Sequence, residues 1–127
     1  MTKVYVALSG CGKSEFCQTH EGWIDFDQKT YIEYKQKGIS FENLQIISNP
    51  FDNFEDCFKA ENITPVLILP GECMKEEMLQ RVYERDPKDP WVTKYAQIYD
   101  RWYVDLNSRN LEKIYLQPGQ YISDIIK

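Results

Sequence analysis

Apolar residues in this chain fall into short runs that alternate with amphipathic stretches. Residues 4–8, Val-Tyr-Val-Ala-Leu, form a β-rich run that leads into a glycine turn, and the spacing after it predicts a helix over 13–19. Trp23-Ile24-Asp25-Phe26-Asp27 reads as a second strand ending in acids. Residues 30–37 carry helical spacing, with Gly38 as the stop signal. A third strand is predicted at 44–48. Asn49-Pro50 breaks it, and 51–61 reads as an acidic amphipathic helix. Residues 65–70, Pro-Val-Leu-Ile-Leu-Pro, are almost wholly apolar, as a strand buried on both faces should be. A helix over 72–85 sets Met74, Met78, Leu79 and Val82 along one side. The turn-rich stretch 86–90 follows and is the best candidate for a mobile loop. The longest helix is predicted at 91–107, with Trp91, Tyr95, Ile98, Trp102 and Leu106 recurring every three or four residues. A fifth strand at 113–116, a Pro118-Gly119 turn and a short helix over 121–126 complete the pattern.

Strands that alternate with helices in this way imply a parallel sheet covered by helices on both faces, joined by right-handed crossovers. A length of 127 residues fits one domain spanning 1–127, and no repeat or linker interrupts it. No apolar run reaches the length of a membrane span, and the first residues lack the pattern of a signal peptide. The net charge of −5 disfavours nucleic-acid binding, although a local basic site for one nucleotide is compatible with it. Cys11, Cys17, Cys57 and Cys73 form no C-x-x-C pair, so they are read as free thiols of a cytoplasmic chain.

The chemistry concentrates in Ala7-Leu8-Ser9-Gly10-Cys11-Gly12-Lys13-Ser14. In the pattern G-x-x-x-x-G-K-[ST], the glycines let backbone amides turn inward around phosphate oxygens. The lysine carries charge to the β- and γ-phosphates, and the hydroxyl binds Mg²⁺. Ala7 stands where the first glycine is usual. Ser9, Gly10, Cys11, Gly12, Lys13 and Ser14 are therefore the candidate phosphate cradle, with Ser14 a metal ligand. The setting is the required one: a strand before and a helix after.

Asp25 and Asp27 alternate around Phe26 at the carboxyl end of the second strand, where open α/β sheets place ligands. Either acid is a candidate to orient an acceptor or hold Mg²⁺. Asp27 is preferred as the nearer to the strand's end, against the alternative that it caps the next helix. The third strand ends in Ser48-Asn49, without the acid common in motor-type ATPases. Arg81 and Arg85, one helical turn apart, are candidates to close over phosphates and stabilise charge in transfer. The alternative is surface pairing such as Glu77 with Arg81. His20 has no nearby nucleophile and reads as a helix-end residue. Trp91, Tyr95, Trp102 and Tyr103 read as helix core.

On these residues the chain resembles the P-loop nucleotide and nucleoside kinase superfamily, and within it the small kinase-like proteins of bacteriophages and bacterial accessory genes. The likeness rests on Leu8 to Ser14, Ile24-Asp25-Phe26-Asp27, Ile46-Ile47-Ser48, Leu67-Ile68-Leu69-Pro70 followed by Lys75-Glu76-Glu77 and Arg81-Val82-Tyr83-Glu84-Arg85, Asp100-Arg101-Trp102 and Leu116-Gln117-Pro118-Gly119-Gln120-Tyr121-Ile122. The resemblance implies a three-layer α/β/α P-loop fold with strand order 2-3-1-4-5. It implies a lid near Arg81 and Arg85, and a base-binding loop at Gln117, Pro118 and Gly119. The implied activity is Mg²⁺-dependent transfer of phosphate from ATP or GTP to a small acceptor, a nucleotide or nucleoside. The segment 28–42 offers only Lys29, Lys35 and Lys37 as cations for such an acceptor. A non-catalytic nucleotide-binding or inhibitory protein, or a simple NTPase, is therefore the rival expectation.

Overall fold

The computed structural model describes residues 2–126 and contains one five-stranded sheet. The elements run β1 (Lys3–Ala7), α1 (Lys13–Thr19), β2 (Trp23–Phe26), α2 (Gln28–Lys37), β3 (Gln45–Ser48) and α3 (Phe54–Lys59). They continue with β4 (Val66–Pro70), α4 (Lys75–Arg85), α5 (Pro90–Ser108), β5 (Lys113–Leu116) and α6 (Ile122–Ile125). Every strand pairing is parallel, and the order is β2-β3-β1-β4-β5. This is the alternating parallel arrangement expected from the pattern, in the order the resemblance implies.

Register explains the burial. Phe26, Ser48, Val6 and Leu67 stand side by side across four strands, and all are buried. The one buried polar side chain in that row, Ser48, donates its hydroxyl to the Asn49 carbonyl at 2.8 Å and so stays satisfied. Phe26 packs beneath α2 and α3 through edge and tilted ring contacts with Tyr34 and Phe58 at 5.4 and 5.9 Å. Phe16 of α1 meets Trp23, of opposite strand parity, at 5.5 Å. The sheet is thus covered from both sides.

Element ends differ from the sequence pattern where side chains compete with the backbone. Residues 72–74 are not helical: the Met74 amide turns back to the Gly71 carbonyl at 3.1 Å, and α4 starts only at Lys75. α2 starts two residues early because the Asp27 carboxylate caps it. The stretch 86–89 is a closed turn, with the Asp89 amide on the Asp86 carbonyl at 3.1 Å, and residue 90 already belongs to α5. Among the described residues no helix is long and apolar enough to cross a membrane.

In a parallel sheet all carboxyl ends lie at one edge. The chain leaves β1 toward β2 and leaves β4 toward β5, so the loops after these two neighbours diverge and open a crevice. The glycine loop at 8–12 stands in that crevice.

Phe58 is fully buried and touches the rings of Phe26, Tyr31 and Phe51. Phe58→Ala is expected to lower unfolding free energy by about 3–5 kcal/mol. Urea unfolding followed by circular dichroism measures it, and a loss below about 1 kcal/mol would show that this face collapses around the gap.

Candidate functional site

The loop between β1 and α1 is held by its carbonyls. The Ser9 carbonyl accepts from the Tyr95 hydroxyl at 2.6 Å, the Gly10 carbonyl from Arg81 Nη1 at 3.0 Å, and the Cys11 carbonyl from the Ile122 amide at 2.9 Å. Each peptide carbonyl opposes the amide of the next residue, so fixing these three oxygens turns the following amides the other way. Among the described residues the amides of Gly10, Gly12, Lys13 and Ser14 donate to no group of the protein. Backbone donors seldom stay unpaired unless water or a ligand takes them.

Two glycines make the turn possible. Gly10 and Gly12 have φ of +93° and +90°, a region that costs side-chain-bearing residues about 1–2 kcal/mol. A Cβ at either position would be crowded. At Gly10 it would sit 3.2 Å from the Met78 carbonyl oxygen, and at Gly12 3.1 Å from the Tyr121 ring. The loop is therefore packed against α4 and against the start of α6 as closely as backbone allows.

Ser9, Gly10, Gly12, Lys13, Ser14, Arg81 and Arg85 line one cavity of about 360 Å³, together with Glu15, Glu84 and Tyr121. Three cations and two carboxylates surround it, in a chain that is acidic overall. Cys11 is not among the lining residues. Its thiol is buried beneath the loop, and burial pushes its pKa up to about 12.

The two aspartates part company. Asp25 pairs with the Lys13 ammonium through one oxygen and accepts from the Ser14 hydroxyl through the other at 3.0 Å. Asp27 lies beyond the end of β2 and caps α2, accepting from the Thr30 amide at 2.8 Å and the Thr30 hydroxyl at 2.9 Å. The Thr30 amide holds its carboxyl below the ordinary value, and the Thr30 hydroxyl and Lys13 add to the effect against a burial penalty. The preference formed from the sequence thus reverses: Asp25 is the acid that reaches the loop.

The arginines also differ. The Arg81 side chain is only 9% exposed. Besides the Gly10 carbonyl, it donates to the Gln120 carbonyl at 2.8 Å, pairs with Glu77, and lies 3.9 Å from the centre of the Tyr121 ring. Its fork is spent on holding structure. Arg85 is exposed, lines the cavity and makes no hydrogen bond or ion pair among the described residues. Gln117 and Pro118 line a neighbouring cavity of about 550 Å³. The Gly119 amide is tied to Glu77 at 2.9 Å. Glu77 therefore anchors both Arg81 and the turn after β5.

Sequence reasoning missed three groups that build the loop: Tyr95, Trp91, which donates from Nε1 to the Ser9 hydroxyl at 3.2 Å, and Tyr121. The first two lie on an apolar helical stripe whose spacing signals core. Burial pushes the Tyr95 phenol well above its ordinary pKa, so it remains a neutral donor. No protein-family model matches the chain, and no curated protein is significantly similar to it.

Asp27→Ala is expected to cost about 1 kcal/mol of stability at neutral pH, as loss of a helix cap does. Because the folded pKa lies below the unfolded value of 3.8, that contribution is full above the unfolded value and lost as pH falls through the folded one. Wild type and variant should therefore converge in thermal stability at the acid end, and a constant gap down to the lowest pH would contradict the assignment. A thiol reagent at pH 8 should label exposed Cys73 rapidly and buried Cys11 only under denaturant. Mass mapping of the labelled peptides decides this, and early labelling of Cys11 would show that the loop opens freely.

Proposed function

We propose that this chain is a P-loop nucleotide-binding protein with the three-layer α/β/α kinase-type fold. Its activity is Mg²⁺-dependent phosphate transfer from ATP or GTP to a small acceptor of the nucleotide or nucleoside class. One observation supports the reading above the others. The loop that carries the G-K-S motif has its carbonyls held by Tyr95, Arg81 and Ile122, leaves the amides of Gly10, Gly12, Lys13 and Ser14 without a protein acceptor among the described residues, and lines a cavity together with Lys13. Amides and an ammonium group around one concavity favour a polyphosphate.

The roles follow from reach. Lys13 brings its charge to the terminal phosphates. Arg85, unpaired and on the cavity wall, supplies the second mobile cation and stabilises charge that develops in transfer. Arg81 positions the cradle. The donor set also fits Mg²⁺. Ser14 Oγ and an Asp25 oxygen are 3.0 Å apart, both are hard oxygen ligands, and Mg²⁺ needs only one or two protein ligands beside phosphate and water. Bound there, Mg²⁺ would neutralise phosphate charge.

One observation favours the rival reading, a nucleotide-binding protein that does not transfer phosphate. In α2, the expected acceptor platform, no residue is buried, and Lys35 and Lys37 are paired with Glu61 and Glu33. Only Lys29 remains to meet an acceptor phosphate.

Labelled ATP or GTP with Mg²⁺ and a panel of nucleosides and monophosphates separates the readings. Acceptor-dependent transfer, reduced at least about 100-fold in Lys13→Ala, is the expected outcome. Tight binding with no transfer would favour the non-catalytic reading, transfer to water alone an NTPase, and no binding by wild type would overturn all three.

A further inference from the structure

We infer that Asp25 makes the cradle selective for metal-bound polyphosphate over the metal-free anion, by occupying Lys13 and Ser14 until a divalent cation is present. The inference rests on the nucleotide reading and deepens it by naming the form of ligand that is accepted.

Lys13 and Ser14 are the two side chains of the loop that would meet a terminal phosphate and its metal. One carboxylate engages both: Asp25 pairs with the Lys13 ammonium and accepts from the Ser14 hydroxyl at 3.0 Å. Among the described residues the amides of Gly10, Gly12, Lys13 and Ser14 are free, and the side chains of Lys13 and Ser14 are not. Among the described residues no other hydrogen bond or ion pair engages Asp25. Asp27 is held by Thr30, Arg81 by two carbonyls and Glu77, and Arg85 lies on the cavity wall in α4.

The pair is separable. The side chains of Lys13 and Asp25 are 21% and 42% exposed, and ion pairs open to solvent contribute little net stability. What Asp25 opposes is the kind of ligand. A metal-free triphosphate carries about four negative charges. To win Lys13 it must leave the Asp25 carboxylate unpaired within a few ångströms of those charges. Like-charge contact in a partly desolvated cavity is unfavourable. When the triphosphate carries a divalent cation, Asp25 and Ser14 can turn their oxygens to that cation, and Lys13 is released to the phosphates without an unpaired acid left behind. The same arrangement disfavours simple anions such as inorganic phosphate, which bring no tightly bound cation.

Calorimetric titration of the full chain tests this with inorganic triphosphate and with ATP, each in EDTA and in MgCl₂. Wild type should bind the Mg²⁺ forms at least about tenfold more tightly than the metal-free forms. Asp25→Asn keeps the shape and removes the charge. It should bind metal-free triphosphate about tenfold more tightly than wild type does and lose most of the Mg²⁺ advantage. The same gain is required of Asp25→Ala, with folding of both variants checked by thermal melts. If wild type prefers the Mg²⁺ form but neither variant gains affinity in EDTA, the latch is wrong while the nucleotide reading stands. If wild type binds neither ligand with Mg²⁺, the nucleotide reading itself fails and takes this inference with it.

Discussion

Three hydrogen bonds to three consecutive carbonyls organise this protein. A glycine loop with unpaired amides is intrinsically unstable, because nothing in its own local structure prevents the peptide planes from rotating to satisfy themselves. Tyr95, Arg81 and the Ile122 amide remove that freedom by holding the oxygens of Ser9, Gly10 and Cys11 in place. Each acts from a different element: α5, α4 and the start of α6. Burial of Tyr95 keeps its hydroxyl protonated, and the near-complete burial of the Arg81 side chain keeps its fork in place. The rigid backbone and the partly exposed side chains of Lys13 and Asp25 form two layers with different tasks. One layer fixes geometry, and the other is left able to move.

The parallel sheet explains why those elements meet. β1 lies at the centre, between β3 and β4, so the loop that follows it is within reach of whatever follows β4 and β5. α4 lays Met78 against Gly10, and Tyr121 closes on Gly12. Glu77 ties Arg81 to the turn after β5. A single helix thus braces the glycine loop and the turn after β5. A substitution at Glu77 would loosen both at once.

Much of this was legible in the sequence. Apolar runs separated by amphipathic stretches specify alternation, and a near-continuous apolar run at 65–70 marks a central strand. The G-K-S motif, preceded by a strand, marks the loop. What could not be read was long-range pairing. Ser9 is joined to Tyr95 across 86 positions and Gly10 to Arg81 across 71. A tyrosine in an apolar stripe looks the same whether or not its hydroxyl reaches a distant carbonyl. The two aspartates were separable only through local competition. Asp27 folds back on Thr30, which ends β2 at Phe26 and leaves Asp25 the only acid of the pair aimed at Lys13. Arg81 and Arg85, identical in type and one turn apart, were divided by burial, which no spacing rule reveals.

The braces lie far downstream of what they brace. The loop at 8–14 precedes all of its braces along the chain, and it cannot take its final form until residue 122 has joined the fold. A chain cut before residue 122 would therefore carry the whole motif without the hydrogen bond that fixes the Cys11 carbonyl. The concavity beside Lys13 is thus a property of the assembled fold and not of the motif alone.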